Sequence, residues 1–238
     1  MSIRLSDIEV LPRREREKLL RREEMLAAAR TIFAQKGYRE TTLEDVAELA
    51  EFGKGTLYNY FPNKDALFSS VLEETILGFK TIFDTVLVSD LPFNEKLRLL
   101  IEESLRCAFS NPEGIMLMTR EAQHLRDNNP LMQIKQELVR MLAVTIAAEQ
   151  KSNPTMFQAD ADQLALILMN MVMGQFMNRL HLRIFNDALD TDSGGIPCSQ
   201  ITTEMINALT DPEYLEADVQ NATDLVYSLY FYGIVGTP

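Results

Sequence analysis

Six side chains within eleven residues, Lys54, Thr56, Tyr58, Asn59, Tyr60 and Lys64, offer two ammonium groups, two phenols, a hydroxyl and an amide. These groups serve the phosphate oxygens and base edges of a nucleic acid. Gly55 lies among them and has no side chain to hold its backbone away from a ligand surface. The set is useful only if a rigid element presents most of it on one side. Leu57 and Phe61, four residues apart, supply the apolar positions that would anchor a short helix beneath these donors.

Just upstream, Leu43, Val46, Ala47 and Ala50 recur at the three- and four-residue spacing of a helix about two turns long, and small Ala47 and Ala50 admit a second helix closely. Glu51, Phe52 and Gly53 interrupt that pattern before it resumes at Gly55. Two short helices joined by a three- or four-residue turn are the unit that sets a helix into the major groove. Thr41 to Glu44 and Thr42 to Asp45 both have capping-box spacing, so either threonine can begin the first of these helices. Thr42, at a helix amino terminus with free N–H groups, is also a candidate phosphate contact.

The string Lys54, Gly55, Thr56, Leu57, Tyr58, Tyr60, Phe61, Lys64 and Leu67, preceded by Phe33, Gly37, Tyr38 and the paired threonines, resembles the DNA-binding signature of the TetR family of bacterial transcriptional regulators. The resemblance covers roughly residues 20 to 68. It implies an all-α protein: an amino-terminal three-helix DNA-binding domain with a helix-turn-helix, then a larger helical regulatory and dimerisation domain. It implies phosphate contacts at Tyr58 and Lys64; Lys54, Thr56 and Asn59 are the better candidates for base preference. The family usually has Gly and Ser in the turn where this chain has Glu51 and Gly53. A left-handed Glu51 would cost on the order of 1 kcal/mol, and Phe52 is expected to fill space between the two helices.

Composition fits a soluble intracellular protein: 46% hydrophobic and 24% charged residues, no long charge-free apolar window, and no signal-like core in Met1 to Val10. A cytoplasmic location and no membrane partner are expected. The net charge of -12 argues against nucleic acid only until it is divided. Residues 1–68 hold 12 Lys and Arg against 12 Asp and Glu, net 0, so residues 69–238 carry 23 − 12 = 11 basic and 35 − 12 = 23 acidic residues, net -12. The acidic body is repelled by DNA while the head is tolerated. Arg13, Arg14, Arg16, Lys18, Arg21 and Arg22, interspersed with Glu15, Glu17, Glu23 and Glu24, read either as a salt-bridged solvated helix or as a basic arm beside the DNA.

Two domains are expected, 1–68 for DNA and 69–238 for ligand binding and dimerisation. Asn63 is placed to cap a helix tying the two together, and the remaining pattern is helical, with no alternating strand signature. Breaks fall at 89–92, Asn111-Pro112, 127–130, 151–155 and the loop 190–197; a short helical segment is read at 202–209, and Asp211-Pro212 marks the start of the last helix. Residues 159–185 are apolar around too much of their circumference for a helix with one face in water, and the last helix shares that character. In the family it resembles, two carboxy-terminal helices from each subunit build a four-helix dimer interface. Leu164, Leu168, Met171, Gly174, Gln175, Leu225, Leu229 and Tyr232 are the expected homodimer contacts.

Nine of the twelve methionines fall between Met116 and Met177, which suits either soft core packing or an adaptable effector pocket. Phe109, Met116, His124, Met141, Met173 and Phe176 are the expected lining, chosen from helices that the resemblance places around a regulatory cavity. Acid near an entrance would favour a cationic ligand, although ordinary surface acid looks identical in sequence. Cys107, Cys198, His124 and His181 form no metal or redox motif, and no nucleophile, base and orienting group can be assembled. The expectation is therefore no enzyme, no cofactor and no metal. The leading reading is a regulator of double-stranded operator DNA, a repressor released by a small apolar or amphipathic effector; alternatives are an activator or effector-independent regulator, and an all-helical enzyme.

Overall fold

In the computed structural model, which describes residues 11–121, 130–185 and 209–235, the described residues form nine α-helices and no strand. They are α1 (Arg13–Glu40), α2 (Leu43–Leu49), α3 (Lys54–Tyr60), α4 (Lys64–Val86), α5 (Phe93–Ser110), α6 (Pro112–Glu121), α7 (Pro130–Ser152), α8 (Ala161–Phe185) and α9 (Pro212–Val235). His124, Cys198, the 190–197 loop and most of the expected 202–209 segment lie outside the described residues.

The amino-terminal helices close around one apolar seam. Met25, Leu26, Ala29 and Phe33 repeat along α1 and are buried against Val46, Ala47, Leu57 and Phe61. The α1 helix kinks at Gly37, whose φ of 78° and ψ of 167° are open to glycine and strained for other residues. Thr41 follows, buried, its hydroxyl donating to the Gly37 carbonyl at 2.7 Å. Phe68 of α4 enters the same seam edge-on to Phe33, with ring centroids 4.9 Å apart, and lies 4.9 Å from Tyr38.

Asn63 starts α4 by accepting the Ala66 N–H at 2.8 Å. From there 23 residues run without interruption past position 68, a length of about 35 Å at 1.5 Å per residue. Leu67 and Phe68 belong to the head, and Phe83 and Val86 are buried in the body. In the body, α9 packs along α5 and α8 along α7, while α4 packs against both α5 and α7. Helix α9 begins as Asp211-Pro212 dictates, with the Asp211 carboxylate accepting the Glu213 N–H at 3.0 Å.

The head also meets the body through α6. Pro112 opens this helix, and Gly114 in its first turn lies so close to α4 that an added Cβ would meet the Thr75 hydroxyl and come within 2.8 Å of Asn111. One residue earlier Glu113 accepts the Thr31 hydroxyl of α1 at 3.2 Å. Burial raises the Glu113 carboxyl above its usual range, against the opposing pull of Thr31 and Arg30. No helix among the described residues is long and apolar enough to cross a membrane.

Candidate nucleic-acid interface

The two short helices are fixed by their termini. Of the two candidate caps, Thr42 starts α2: its hydroxyl accepts the Asp45 N–H at 3.1 Å, and the Asp45 carboxylate accepts the Thr42 N–H at 2.9 Å. Asp45 also accepts from Lys36 at 2.7 Å, and the Lys36 contact, followed by the hydrogen bonds from Thr42, holds its carboxyl at about 2. The stabilisation it gives is complete above the ordinary aspartate value near 4 and is lost as pH falls through about 2. Thr42 is exposed at the amino terminus of α2.

The turn between α2 and α3 carries the strain that its sequence implies. Glu51 has a φ of 57°, in the left-handed region, and the Phe52 N–H donates to Ala47 at 2.9 Å to close the turn. Phe52 packs, half-buried, against the core. Gly53, the cap residue of α3, has an ordinary φ of -63°. A Glu51→Gly substitution should therefore stabilise the head by about 1 kcal/mol, read as a rise in the urea midpoint at unchanged slope; an unchanged or lower midpoint would show that the turn is not strained.

Within α3 the pattern divides cleanly. Leu57 and, just past its end, Phe61 are buried, at 0% and 2% exposure. Lys54, Gly55, Tyr58 and Asn59 are exposed, and their spacing of one, four and five residues puts them on a single face. Thr56 and Tyr60 flank that face half-buried. A Cβ at Gly55 would meet nothing within 4 Å, so the fold itself does not need glycine there; what it leaves open is the space in front of the helix. Lys54 forms an ion pair with Glu44 of α2 and lies 5.8 Å from the Tyr58 ring centroid. The pair raises the lysine and lowers the glutamate from their ordinary values, chiefly through their hydrogen bond.

Lys64 has a second occupation that its position in the sequence does not reveal. Its Nζ donates to the carbonyls of Arg39 and Thr41, both at 3.0 Å, and sits 4.6 Å from the Tyr38 ring centroid. It thus closes the carboxy-terminal end of α1, favourable also for the helix dipole. Lys64→Ala should cost the head about 1 kcal/mol before any ligand is present; a urea midpoint equal to wild type would refute this part of its role. Arg22 belongs to the basic set read either as a solvated helix or as an arm beside the DNA. Its guanidinium lies 5.5 Å from the Phe61 ring centroid, which brings the basic first helix to the end of α3.

The body holds a cavity of about 250 Å³ among α4, α5, α6, α7 and α8. Of the expected lining residues, Met173 is in its wall. Met116 and Phe176 are packed in the core, Met141 is half-buried on α7, and Phe109 borders a separate 220 Å³ depression with Gln175 and Leu225. Met118, Met169, Ser104 and Lys135 line the cavity without having been singled out. Among the expected dimer contacts, Leu164 and Leu168 are spent on the protomer's own core, at 5% and 2% exposure. Met171 and Gln175 are half-buried, Gly174 is exposed, and Leu225, Leu229 and Tyr232 stand 49%, 61% and 45% exposed. Leu166, Ile167 and Met177 add exposed apolar surface on α8.

Two short helices joined by a tight turn, with donors on the outer face of the second, make residues 41–64 a helix-turn-helix DNA-binding unit carried on a helical body. Residues 25–71 match the family model for bacterial regulatory proteins of the tetR family. The chain is 39% identical over 77 residues to the uncharacterised HTH-type transcriptional regulator YhgD of Bacillus subtilis, covering 32% of this chain and 40% of that protein. It is 28% identical over 108 residues to the HTH-type transcriptional repressor KstR2 of Rhodococcus jostii, covering 45% of this chain and 53% of that one. These matches span about half or less of the curated relatives' length. A TetR-like transcriptional regulator from Rhodococcus sp. RHA1 superposes with a TM-score of 0.64 at 22% identity, covering 95% of this chain and all of that one, which extends the likeness of fold to the body. Residues 25–71 are thus similar to the DNA-binding domain of the tetR family, and the whole chain shares its fold with a TetR-like regulator.

Proposed function

We propose that the protein is a homodimeric repressor that binds double-stranded operator DNA through Lys54, Thr56, Tyr58, Asn59, Tyr60 and Lys64, assisted by Thr42 and Gly55, and leaves it when a small effector occupies the body. The single observation that carries the DNA-binding part is the exposed face of Lys54, Gly55, Tyr58 and Asn59 backed by the fully buried Leu57. One seven-residue helix reads only a few base pairs, so two heads on successive turns of DNA, about 34 Å or a multiple apart, are needed for selectivity. The exposed apolar residues of α8 and α9 are the surface available for that pairing.

Residues 1–68 act as the head and 69–238 as the ligand-binding and dimerisation body. Helix α4 links them as one rod, and α6 touches α1 while also lining the cavity through Met118 and Thr119. An effector that prefers one packing of these helices shifts the heads out of register; occupancy without such a preference shifts nothing. A gel-shift screen of the purified chain against a genomic fragment library tests the proposal. Selective retention of a few fragments is expected, and its complete absence would refute DNA recognition. On a retained fragment, Lys54→Ala and Asn59→Ala should change the ranking of operator variants, whereas Tyr58→Phe should weaken all of them alike.

A further inference from the structure

The cavity contains one charged side chain among its described lining residues, and it is basic. Ile76, Phe79, Leu100, Leu142 and Val172 are representative of a wall that is otherwise almost wholly apolar; Lys135 of α7 lies at the solvent edge, and among the described residues no aspartate or glutamate lines the space. Thr119 donates its hydroxyl to backbone carbonyls of its own helix at 2.9 and 3.1 Å, leaving that donor committed. Ser104 can turn inward or satisfy itself on its own helix, so it does not select for charge.

Four cations of the body are held by carboxylates, whereas Lys135, like Arg140 and Lys151, has no ion pair among the described residues. Lys80 contacts Glu137 and Asp84, Arg98 contacts Asp224, Arg106 contacts Glu102 and Glu216, and Arg179 contacts Asp218. Among the described residues Lys135 has no such carboxylate. The nearest acid along its own helix, Glu137, is held by Lys80 at 2.7 Å, and none stands three or four residues away on either side of Lys135. This contrasts with the net charge of -12 and with the expectation that entrance acid would favour a cation.

We propose that the effector is a short amphipathic carboxylate, its hydrocarbon tail in the apolar cavity and its head group beside the Lys135 ammonium. The inference rests on the reading of the body as an effector-binding domain and adds the chemical class of the ligand. A volume of about 250 Å³ equals roughly eight waters at ~30 Å³ each, which bounds the buried part to about eight to ten heavy atoms. A carboxylate meets the Lys135 ammonium at the edge of low-dielectric surroundings, where the attraction is less screened than in bulk water. An amine meets repulsion there, and an alcohol neither.

Calorimetric titration of the full chain with octanoate, 1-octanol and octylamine, which differ only at the head group, tests this. Octanoate is expected to bind about tenfold more tightly than octanol, with octylamine weakest. Lys135→Gln should remove the advantage of octanoate while leaving octanol unchanged, and Lys135→Glu should put octylamine first. Val172→Phe, which fills the cavity, should weaken all three. Wild-type protein that binds octanol as well as octanoate, or a preference that survives Lys135→Gln, overturns the carboxylate proposal while leaving an effector site in place. Binding untouched by Val172→Phe overturns it by moving the ligand elsewhere. Absence of binding by all three compounds overturns the proposal together with the reading of this cavity as the effector site.

Discussion

Leu229→Asp is expected to yield a folded monomer that no longer holds operator DNA. Leu225 and Leu229 are 49% and 61% exposed in the single chain, Leu225 at the rim of the depression it shares with Gln175 of α8. The inner side is fixed independently: Val219, Val226 and Tyr230 are buried, Tyr230 donates its hydroxyl to the Leu164 carbonyl at 2.8 Å, and Arg98 of α5 pairs with Asp224. A carboxylate at position 229 therefore stays hydrated in the monomer but would lose water in the proposed dimer, where α8 and α9 of two chains meet. The effective penalty for a buried unpaired charge is several kcal/mol, and each 1.4 kcal/mol is tenfold, so dimerisation should weaken by at least about a hundredfold.

Sedimentation at micromolar concentration should give twice 27.1 kDa for wild type and about one chain for the variant. Operator affinity should fall with it, because a single head of net charge 0 cannot replace the missing half-site by non-specific attraction. Leu168→Asp supplies the contrast. That position is inside the protomer and should lose its fold rather than only its partner. A wild-type mass of one chain, or a Leu229→Asp protein that remains dimeric, would reject this surface.

What could be read from the amino acids is mainly what depends on near neighbours. The turn at Glu51, the Asn63 cap and the Asp211-Pro212 helix start are decided within four residues; the latter two occur as their residue types favour, and the turn occurs despite the cost of a left-handed glutamate. The choice between Thr41 and Thr42 was open because both have an acid three residues on; it is settled by the kink at Gly37, whose carbonyl takes the Thr41 hydroxyl. Lys64 and Lys54 find partners 23 to 25 and ten residues away, and no periodicity announces such pairs. On α8, leucine, isoleucine and methionine occur on every side, so residue type alone does not separate Leu164 and Leu168, which are buried, from Leu166 and Ile167, which are exposed. The cavity was the least legible feature because five helices define it by where they fail to touch. Lys135, with no distinctive neighbours in sequence, becomes notable only against that apolar wall.

Leu57→Ala should abolish DNA binding by melting the head while the body stays dimeric. The seven residues of α3 are too few for a helix to persist alone in water, where roughly 12 to 15 are marginal. It is held by Leu57 and Phe61, buried beside Val46, Ala47 and Phe33. Removing a fully buried leucine side chain costs about 2 to 5 kcal/mol, more when the surroundings cannot collapse. That is a large part of the 5 to 15 kcal/mol typical of a whole domain, and the head is a small one whose turn already holds Glu51 at a φ of 57°. Asn59→Ala should instead remove a DNA-facing amide with an unchanged urea midpoint, because Asn59 is exposed and supports no core residue. Limited proteolysis separates the two effects: Leu57→Ala should be cut between residues 41 and 64 while its sedimentation mass remains that of the dimer, and Asn59→Ala should resist cutting like wild type. If Leu57→Ala kept the wild-type urea midpoint and protease resistance yet lost DNA, Leu57 would be acting in recognition and the assignment of the buried and DNA-facing sides of α3 would be reversed.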